Sequence, residues 1–449
     1  MISMRKHKLK VAAGIAVVAL AAAGCTSGSS GSTTSDGTPI IKIWAQSSGE
    51  TGVDEQWAEE FNASRDDVQV EYRTMPSDTF ANDLMLALRT NEGPDIFVGP
   101  SPAEVVNPGF ALPLDEYLSD EVKTEFDGYL EGAYDYIIQD EIYALPYKFN
   151  GTRLMINRDM FEEAGLDPDS PPETFSEVRE AAAAITEASG GTAYGFGVPL
   201  AWNGVFQNHI EPLAMATNPD LTRVGLFDRK TQEFDMPAFA PIIQLYRDLQ
   251  ADGSMYPSIG TLDRDGVRSA FANGEVGMYV GSSLEVAVMN ESLETEVDWQ
   301  PVRIPVEDGQ EYQRSSGTVV AGGFVSSQTS DPQLAVDVYE SWLSRDRTCE
   351  LASTGAIIPA LESLQDCAPE DMKGYDVFLP SDEYKDVPDP IAPGNLLRVK
   401  GTLYEDIIAE LSVTDGDIVS SLQEVSDRYT TAYEEGVDSG ELDAADYSE

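Results

Sequence analysis

Between Pro39 and Pro100 the chain changes its hydrophobic period at every element, and this switching limits the fold more than any other feature of the 449 residues. The stretch PIIKIWAQSSGETG opens on an apolar run from Ile40 to Trp44 and closes in a polar loop, after which VDEQWAEEFNAS sets Trp57 and Phe61 at helical spacing. VQVEYRTM alternates as a strand, DTFANDLMLALRTNEG reads as an amphipathic helix ending at Gly93, and PDIFVGP is a short buried strand. A β-α-β-α-β order predicts an α/β domain with a mostly parallel sheet, whose ligand crevice lies outside the carboxyl ends of the strands. The loops Gln46 to Glu50 and Gly99 to Ser101 stand at those ends.

A second α/β unit follows. An apolar strand around Leu154 to Ile156 meets Asn157 and a short helix with a Gly165 C-cap, and Thr174 then caps a long Ala-rich helix. FANGEVGMYVGSS gives a helix end, a glycine turn and a strand from Val276 to Val280 that stops at Gly281. The tail from Leu403 to Gly436 repeats apolar residues at helical spacing and is expected to pack on this second unit.

The N-terminus carries an address. Arg5, Lys6, Lys8 and Lys10 precede VAAGIAVVALAAAG, an apolar run shorter than the roughly 20 residues that span a bilayer, so the segment reads as a secretory signal. Its ending, Ala22-Ala23-Gly24-Cys25, resembles a bacterial lipobox, which makes Cys25 the expected lipid-modified first residue of the exported chain; Ala22 stands where Leu is commonest. From Thr26 to Thr38 no residue is apolar, and a flexible tether is expected there. With Cys25 lipidated, Cys349 and Cys367 remain as a pair in a space where disulfides persist, and they are expected to bond.

Composition removes several classes of function. The formal charge of −51 repels nucleic acid and anionic lipid, and its simplest reading is a solvated surface. Of the two histidines, His7 leaves with the signal, and His209 in VFQNHIEPLA reads as an ordinary helix-surface or core residue with no nucleophile elbow near it. No metal site is expected: ligands do not cluster, and Leu262-Asp263-Arg264-Asp265-Gly266 begins like a calcium loop but has Gly274 where the closing Glu belongs. No cofactor motif is present. Acidic pairs for glycoside hydrolysis are too abundant to single one out.

Five blocks in order resemble one family: NEGPDIFVGP; ALPYKFNGTRLMINRDMFEEAGLDPDSPPETFSEVREAAAAIT; FANGEVGMYVGSS; SSGTVVAGGFVS with the helix DPQLAVDVYESWLSR; and TGAIIPALES. The family is the extracellular solute-binding proteins of ABC importers, of the sugar-binding type related to maltose-binding protein. The resemblance implies a type II periplasmic-binding-protein fold: two α/β lobes, a three-crossing hinge, and a ligand cleft between the lobes. Crossings are expected near Tyr147 to Asn150, Ser316 to Ala321 and Gly355 to Pro359. Residues 1–24 are then the signal and 25–38 the anchor and tether. The first lobe takes 39–147 and 320–355, and the second takes 148–319 and 356–449. The implied role is capture of a small polar solute, foremost a carbohydrate, by a monomer tethered outside the cytoplasmic membrane, for delivery to permease subunits. An exported carbohydrate-active enzyme and a surface sensory or adhesion module are the competing readings.

A sugar offers hydroxyls at its edges and C–H groups on its faces, so its site needs planar polar groups and exposed rings. Trp202, in GVPLAWNGVFQ beside Asn203 and Gly204, is the foremost stacking candidate, and Trp44 after the first strand is a second. The resemblance places Ser48, Glu50, Gly99, Ser101, Tyr147, Asn150, Ser283, Gly322 and Asn395 in ligand loops. It departs at Gly281-Ser282-Ser283, where such sugar binders often carry a tryptophan, which weakens the case for a long linear oligosaccharide and leaves room for a small sugar, a polyol or a different polar solute.

Overall fold

The computed structural model describes residues 32–48, 50–100, 102–130, 136–138, 141–202, 204–293, 295–379, 381, 386–388 and 392–448. Cys25, Ser101 and Asn203 lie outside these. The principal elements, in chain order, are β1 (Ile40–Gln46), α1 (Thr51–Ser64), β2 (Gln69–Met75), α2 (Ser77–Arg89), β3 (Ile96–Val98), β4 (Pro146–Asn157), α3 (Phe175–Ala188), β5 (Tyr194–Gly197), α4 (Arg264–Ala272), β6 (Val276–Ser282), β7 (Trp299–Val302), β8 (Ser315–Ala321), β9 (Phe324–Val325), α5 (Pro332–Trp342), α6 (Arg345–Ser353), β10 (Asp386–Pro388), α7 (Tyr404–Val413) and α8 (Ile418–Ser439).

The first sheet has the order β9-β3-β1-β2, with β1 parallel to both β2 and β3, and β9 antiparallel at the edge. Ile41 and Ile43 of β1 point into a core with Phe61, Val70, Ile96, Tyr339 and Trp342. The opposite face carries Trp44. The second sheet has the order β10-β8-β4-β6-β5, with β7 also paired to β4. Its helices follow the local signals: Thr174 and Glu177 close a capping box at the start of α3, and that helix buries Val178, Ala182 and Ile185 against Phe196 and Met278. The tail helices α7 and α8 pack on this second core through Ile408, Leu422, Val425 and Tyr429. Buried Glu211 anchors α7, accepting from Tyr404 Oη at 2.7 Å, and also accepts from the amides of Val224 and Gly225 at 2.8 and 2.9 Å.

The longest strand is shared. The first half of β4 pairs antiparallel with β8, Gly151 opposite Gly317 through Pro146 opposite Ala321. The second half pairs with β6, Thr152 opposite Ser282, and with β7, Asn157 opposite Trp299. A third segment lies beside the same stretch: the Phe149 amide donates to Ile358 at 2.8 Å, and the Ala360 amide to Tyr147 at 3.2 Å. Phe149, Val319 and Ile358 join a core that runs from Phe80 and Phe97 on one side to Tyr279 and Phe378 on the other.

Two local features differ from the sequence expectations. Ser32 to Thr38, read as tether, forms a hydrogen-bonded turn, the Thr34 amide donating to Thr38 O at 2.9 Å and the Ile40 amide to Ser32 O at 2.8 Å, because polar side chains such as Thr34 and Asp36 supply turn contacts that burial is not needed to make. After Ala360 the chain stays with the first core, into which Leu361 and Leu364 are buried, and it reaches Trp299 of the second sheet at Lys373 and Gly374. Cys367 is held there by a disulfide to Cys349 of α6, with Cα atoms 5.0 Å apart. Replacing both cysteines by serine should lower stability by about 3 kcal/mol, the loop-entropy scale for a closed loop of this size. Denaturant titration of the double variant checks this, and an unchanged midpoint contradicts it.

Candidate functional site

The carboxyl ends of β1 and β3 lie side by side, since Ala45 pairs with Val98. Gly99 follows with φ +133°, which only glycine tolerates readily, and packs against Phe80 and Gln46. Ser48 is exposed, its hydroxyl accepting from the Glu50 amide at 3.2 Å. Glu50 begins α1 and is turned inward: its carboxylate takes a hydrogen bond from Tyr147 Oη at 3.0 Å and an ion pair from Lys148. Burial alone would lift the Glu50 carboxyl, but the Lys148 ammonium, with Arg347 and the Tyr147 hydroxyl, holds it below the ordinary value. One turn further, Asp54 accepts from Arg347 Nε at 2.8 Å and from Tyr72 Oη at 2.8 Å, while the Arg347 guanidinium lies 4.1 Å from the centre of the Trp342 ring.

On the second sheet the corresponding ends are those of β5 and β6, whose parallel pairing sets Gly197 beside Tyr279. Ser283, one residue beyond β6, places its hydroxyl 3.3 Å from Asn150 Oδ1. Close by, buried Glu285 receives Arg268 Nη2 at 2.6 Å, Arg268 Nε at 2.9 Å and Tyr279 Oη at 2.7 Å. The loop after β5 carries Trp202, half-buried, with the Arg264 guanidinium 4.8 Å from its ring centre and the His209 ring edge-on at 5.2 Å. Gly204 lies against the indole so closely that a Cβ there would collide with it. Burial, then repulsion from Arg268, pulls the Arg264 guanidinium below its usual value. Its acidic neighbour, Asp265, stands 4.0 Å away and is nearer to Arg268, at 3.4 Å.

Of the sequence candidates, then, Asn150 and Ser283 are in direct reach of each other, and Tyr147 and Glu50 form a second pair. Trp44 is half-buried against the α2 side with Arg73 at 5.1 Å over its ring. Gly322 is buried under Leu343, where a side chain would clash. Asn395 is exposed in a 3-10 turn at Pro393–Leu396. The charged members, Lys148, Arg264, Arg268 and Glu285, escaped the sequence reading. Lys148 had a signal, as a lone cation in the apolar strand ALPYKFN that needs a counter-charge. The Asp263-Arg264-Asp265-Gly266 run works as a helix start: Asp263 caps α4 by accepting from the Gly266 amide at 2.8 Å. Among the described residues no cluster of His, Cys, Asp and Glu is arranged to hold a metal ion.

Residues 46–346 match the family model of the bacterial extracellular solute-binding protein, and the chain belongs to that family. A binding protein of Brucella abortus (strain 2308) is 25% identical over 281 residues, 62% of this chain and 63% of the relative, so the match spans less than two thirds of that relative's length. The sn-glycerol-3-phosphate-binding periplasmic protein UgpB of Yersinia enterocolitica is 26% identical over 264 residues, 55% of this chain and 57% of its own. Among solved structures, the Thermus thermophilus maltotriose binding protein bound with maltotriose aligns at a TM-score of 0.67 and 16% identity, covering 87% of this chain and 99% of that one. At that identity the likeness is one of fold: two α/β lobes with a cleft between them.

His209 supplies a pH test of this wall. It is buried with neither ring nitrogen hydrogen-bonded, and burial, reinforced by Arg268 and Arg264, pushes its pKa down to about 3. An unfolded histidine titrates near 6.5, so between those values the unfolded chain binds a proton that the folded chain refuses. Stability from this residue is therefore intact above pH 6.5 and falls toward pH 3, by about 1.4 kcal/mol per pH unit. His209→Phe should gain about 2 kcal/mol on the native chain between pH 7 and pH 5 in urea titrations. Parallel stability curves for the two proteins over that range would count against the buried neutral imidazole.

Proposed function

We propose that this chain is the solute receptor of an ABC importer, that its solute is a neutral, hydroxyl-rich molecule of the carbohydrate class, and that binding closes the two lobes without chemistry. The observation that carries this reading is the pairing of charge at the strand ends: Glu50 with Lys148, Asp54 with Arg347 and Glu285 with Arg268 are mutually satisfied. Apart from Arg264 over the indole, pairing of this kind leaves hydroxyls, amides and an indole to meet a solute, and these are the groups that recognise sugar edges and faces. In this reading the ligand residues are Trp202, Asn203, Ser283 and Asn150 on the second lobe and Ser48, Gly99 and Ser101 on the first. Glu50 and Tyr147 hold the first lobe's loop in place. Trp44, Gly322 and Asn395 frame the cleft from further out.

The hinge in this proposal comprises β4 at Pro146–Gly151, β8 at Gly317–Ala321 and the segment at 357–360, with the third passage completed beyond Cys367. The first lobe is built on the sheet of β1 and the second on the sheet of β6. A monomer exported by the signal and held by lipid on Cys25 at the outer face of the cytoplasmic membrane would deliver the solute to permease subunits. The maltotriose named for the Thermus structure and the sn-glycerol-3-phosphate named for the Yersinia relative are the natural probes of the substrate class.

Three outcomes follow. Maltotriose at about a hundred times its dissociation constant should raise stability by roughly 2.7 kcal/mol in a thermal-shift assay, whereas a shift with sn-glycerol-3-phosphate alone would move the assignment to an anionic solute. Trp202→Ala should weaken maltotriose binding by about 1–3 kcal/mol and leave the melting temperature of the empty protein nearly unchanged; a large loss of stability with intact affinity would make the indole a core residue. Cys25→Ser should release the protein into the medium, and full retention on the membrane argues against the anchor.

A further inference from the structure

The indole of Trp202 is enclosed by three neighbours: the backbone at Gly204, the edge of His209, and the guanidinium of Arg264 at 4.8 Å from the ring centre. A sugar that stacks on this ring needs one of them to leave. Gly204 is main chain, and His209 is buried at 2% exposure, so neither can yield without unfolding the wall. Arg264 can. It stands on the first turn of α4 with 35% of its side chain exposed, and its nearest acid in an ion pair, Asp265, is 4.0 Å away and 83% exposed. Among the described residues nothing fixes the guanidinium as Glu285 fixes Arg268, which is chelated through two nitrogens in a buried site.

We infer that Arg264 is a displaceable stand-in for the solute: it covers the stacking face of Trp202 in the empty protein and swings out when a sugar ring takes its place, so that its contact with the indole competes with the solute and lowers affinity. The inference rests on Trp202 being the stacking platform proposed above. A guanidinium suits this duty because it is planar and attracted to the π face of an indole, yet weakly held when its charge is half in water. The exchange trades a cation–π contact for a C–H–π contact, so the ring is covered in both states and the empty cleft does not expose a large apolar face. The cation also repels from Arg268 if it is pressed inward, which favours its departure toward solvent as the lobes close.

The test uses the full exported chain and two probes, maltotriose and sn-glycerol-3-phosphate, in titration calorimetry with Arg264→Ala and Arg264→Gln. Removing the competitor should tighten maltotriose binding about two- to five-fold, the ratio to which an exposed cation–π contact amounts. In the empty protein the same substitutions should increase acrylamide quenching of tryptophan fluorescence, and that increase should vanish when Trp202 is also changed to Phe. Weaker binding of sn-glycerol-3-phosphate with no gain for maltotriose would make Arg264 an anion receptor and overturn the inference. So would variants that bind neither probe more tightly than the native chain, or unchanged quenching. Trp202→Ala separates the two levels: if it abolishes maltotriose binding while Arg264→Ala brings no gain, the platform stands and the stand-in falls.

Discussion

Everything at the site depends on one strand of the second sheet that changes partners along its length. The twelve residues of β4 begin beside β8 and end between β6 and β7. A strand cannot shift its register by one residue without turning every side chain to the opposite face, so this pairing fixes what each half presents. Tyr147 and Lys148 reach the Glu50 carboxylate at the start of α1, and Asn150 reaches Ser283 beyond β6. Within four consecutive residues the strand therefore touches the loops of both sheets. In the proposed closure, rotation of one sheet relative to the other would be absorbed where the three segments run side by side, and the parallel β-α-β units on either side would keep their cores.

The second constraint is electrostatic. A chain with a formal charge of −51 that folds around a polar cleft has to keep that charge out of the cleft or neutralise it there. The three buried pairs accomplish the latter at both strand ends. Breaking one partner of such a pair leaves an uncompensated charge in a dry environment, which costs far more than the intact pair contributes. The same pairs position backbone: Lys148 and Tyr147 hold the Glu50 turn, and Glu285 ties the turn after β6 to α4 through Arg268. Arg264, whose ion pair among the described residues is with exposed Asp265 at 4.0 Å, can take a different part.

Much of this was legible in the sequence because its signals are local. The period switches from Ile40 to Val98 fall on β1, α1, β2, α2 and β3, Thr174 is a helix cap, and Val276 to Val280 is a strand ending near Gly281. His209 is a core histidine, and Cys349 is bonded to Cys367. What escaped was long-range. Nothing near Glu50 in the chain announces that Lys148, 98 residues away, neutralises it. Nor does the sequence around Trp202 announce Arg264, whose neighbours Asp263 and Asp265 suggested a failed calcium loop. The family resemblance implies that 356–449 belong to the second lobe, whereas Leu361 and Leu364 are buried with Trp342 in the first core. Side-chain partners across the fold are set by topology, which hydrophobic period specifies only in outline.

In the proposed mechanism β4 and its two companions form a pivot about which the sheets close on a neutral solute. Small-angle scattering of the exported chain with and without saturating maltotriose tests it most directly. Binding verified by calorimetry should be accompanied by a smaller radius of gyration and unchanged far-ultraviolet circular dichroism. Verified binding with an unchanged radius of gyration would mean that the solute is held without closure, and the pivot would be contradicted.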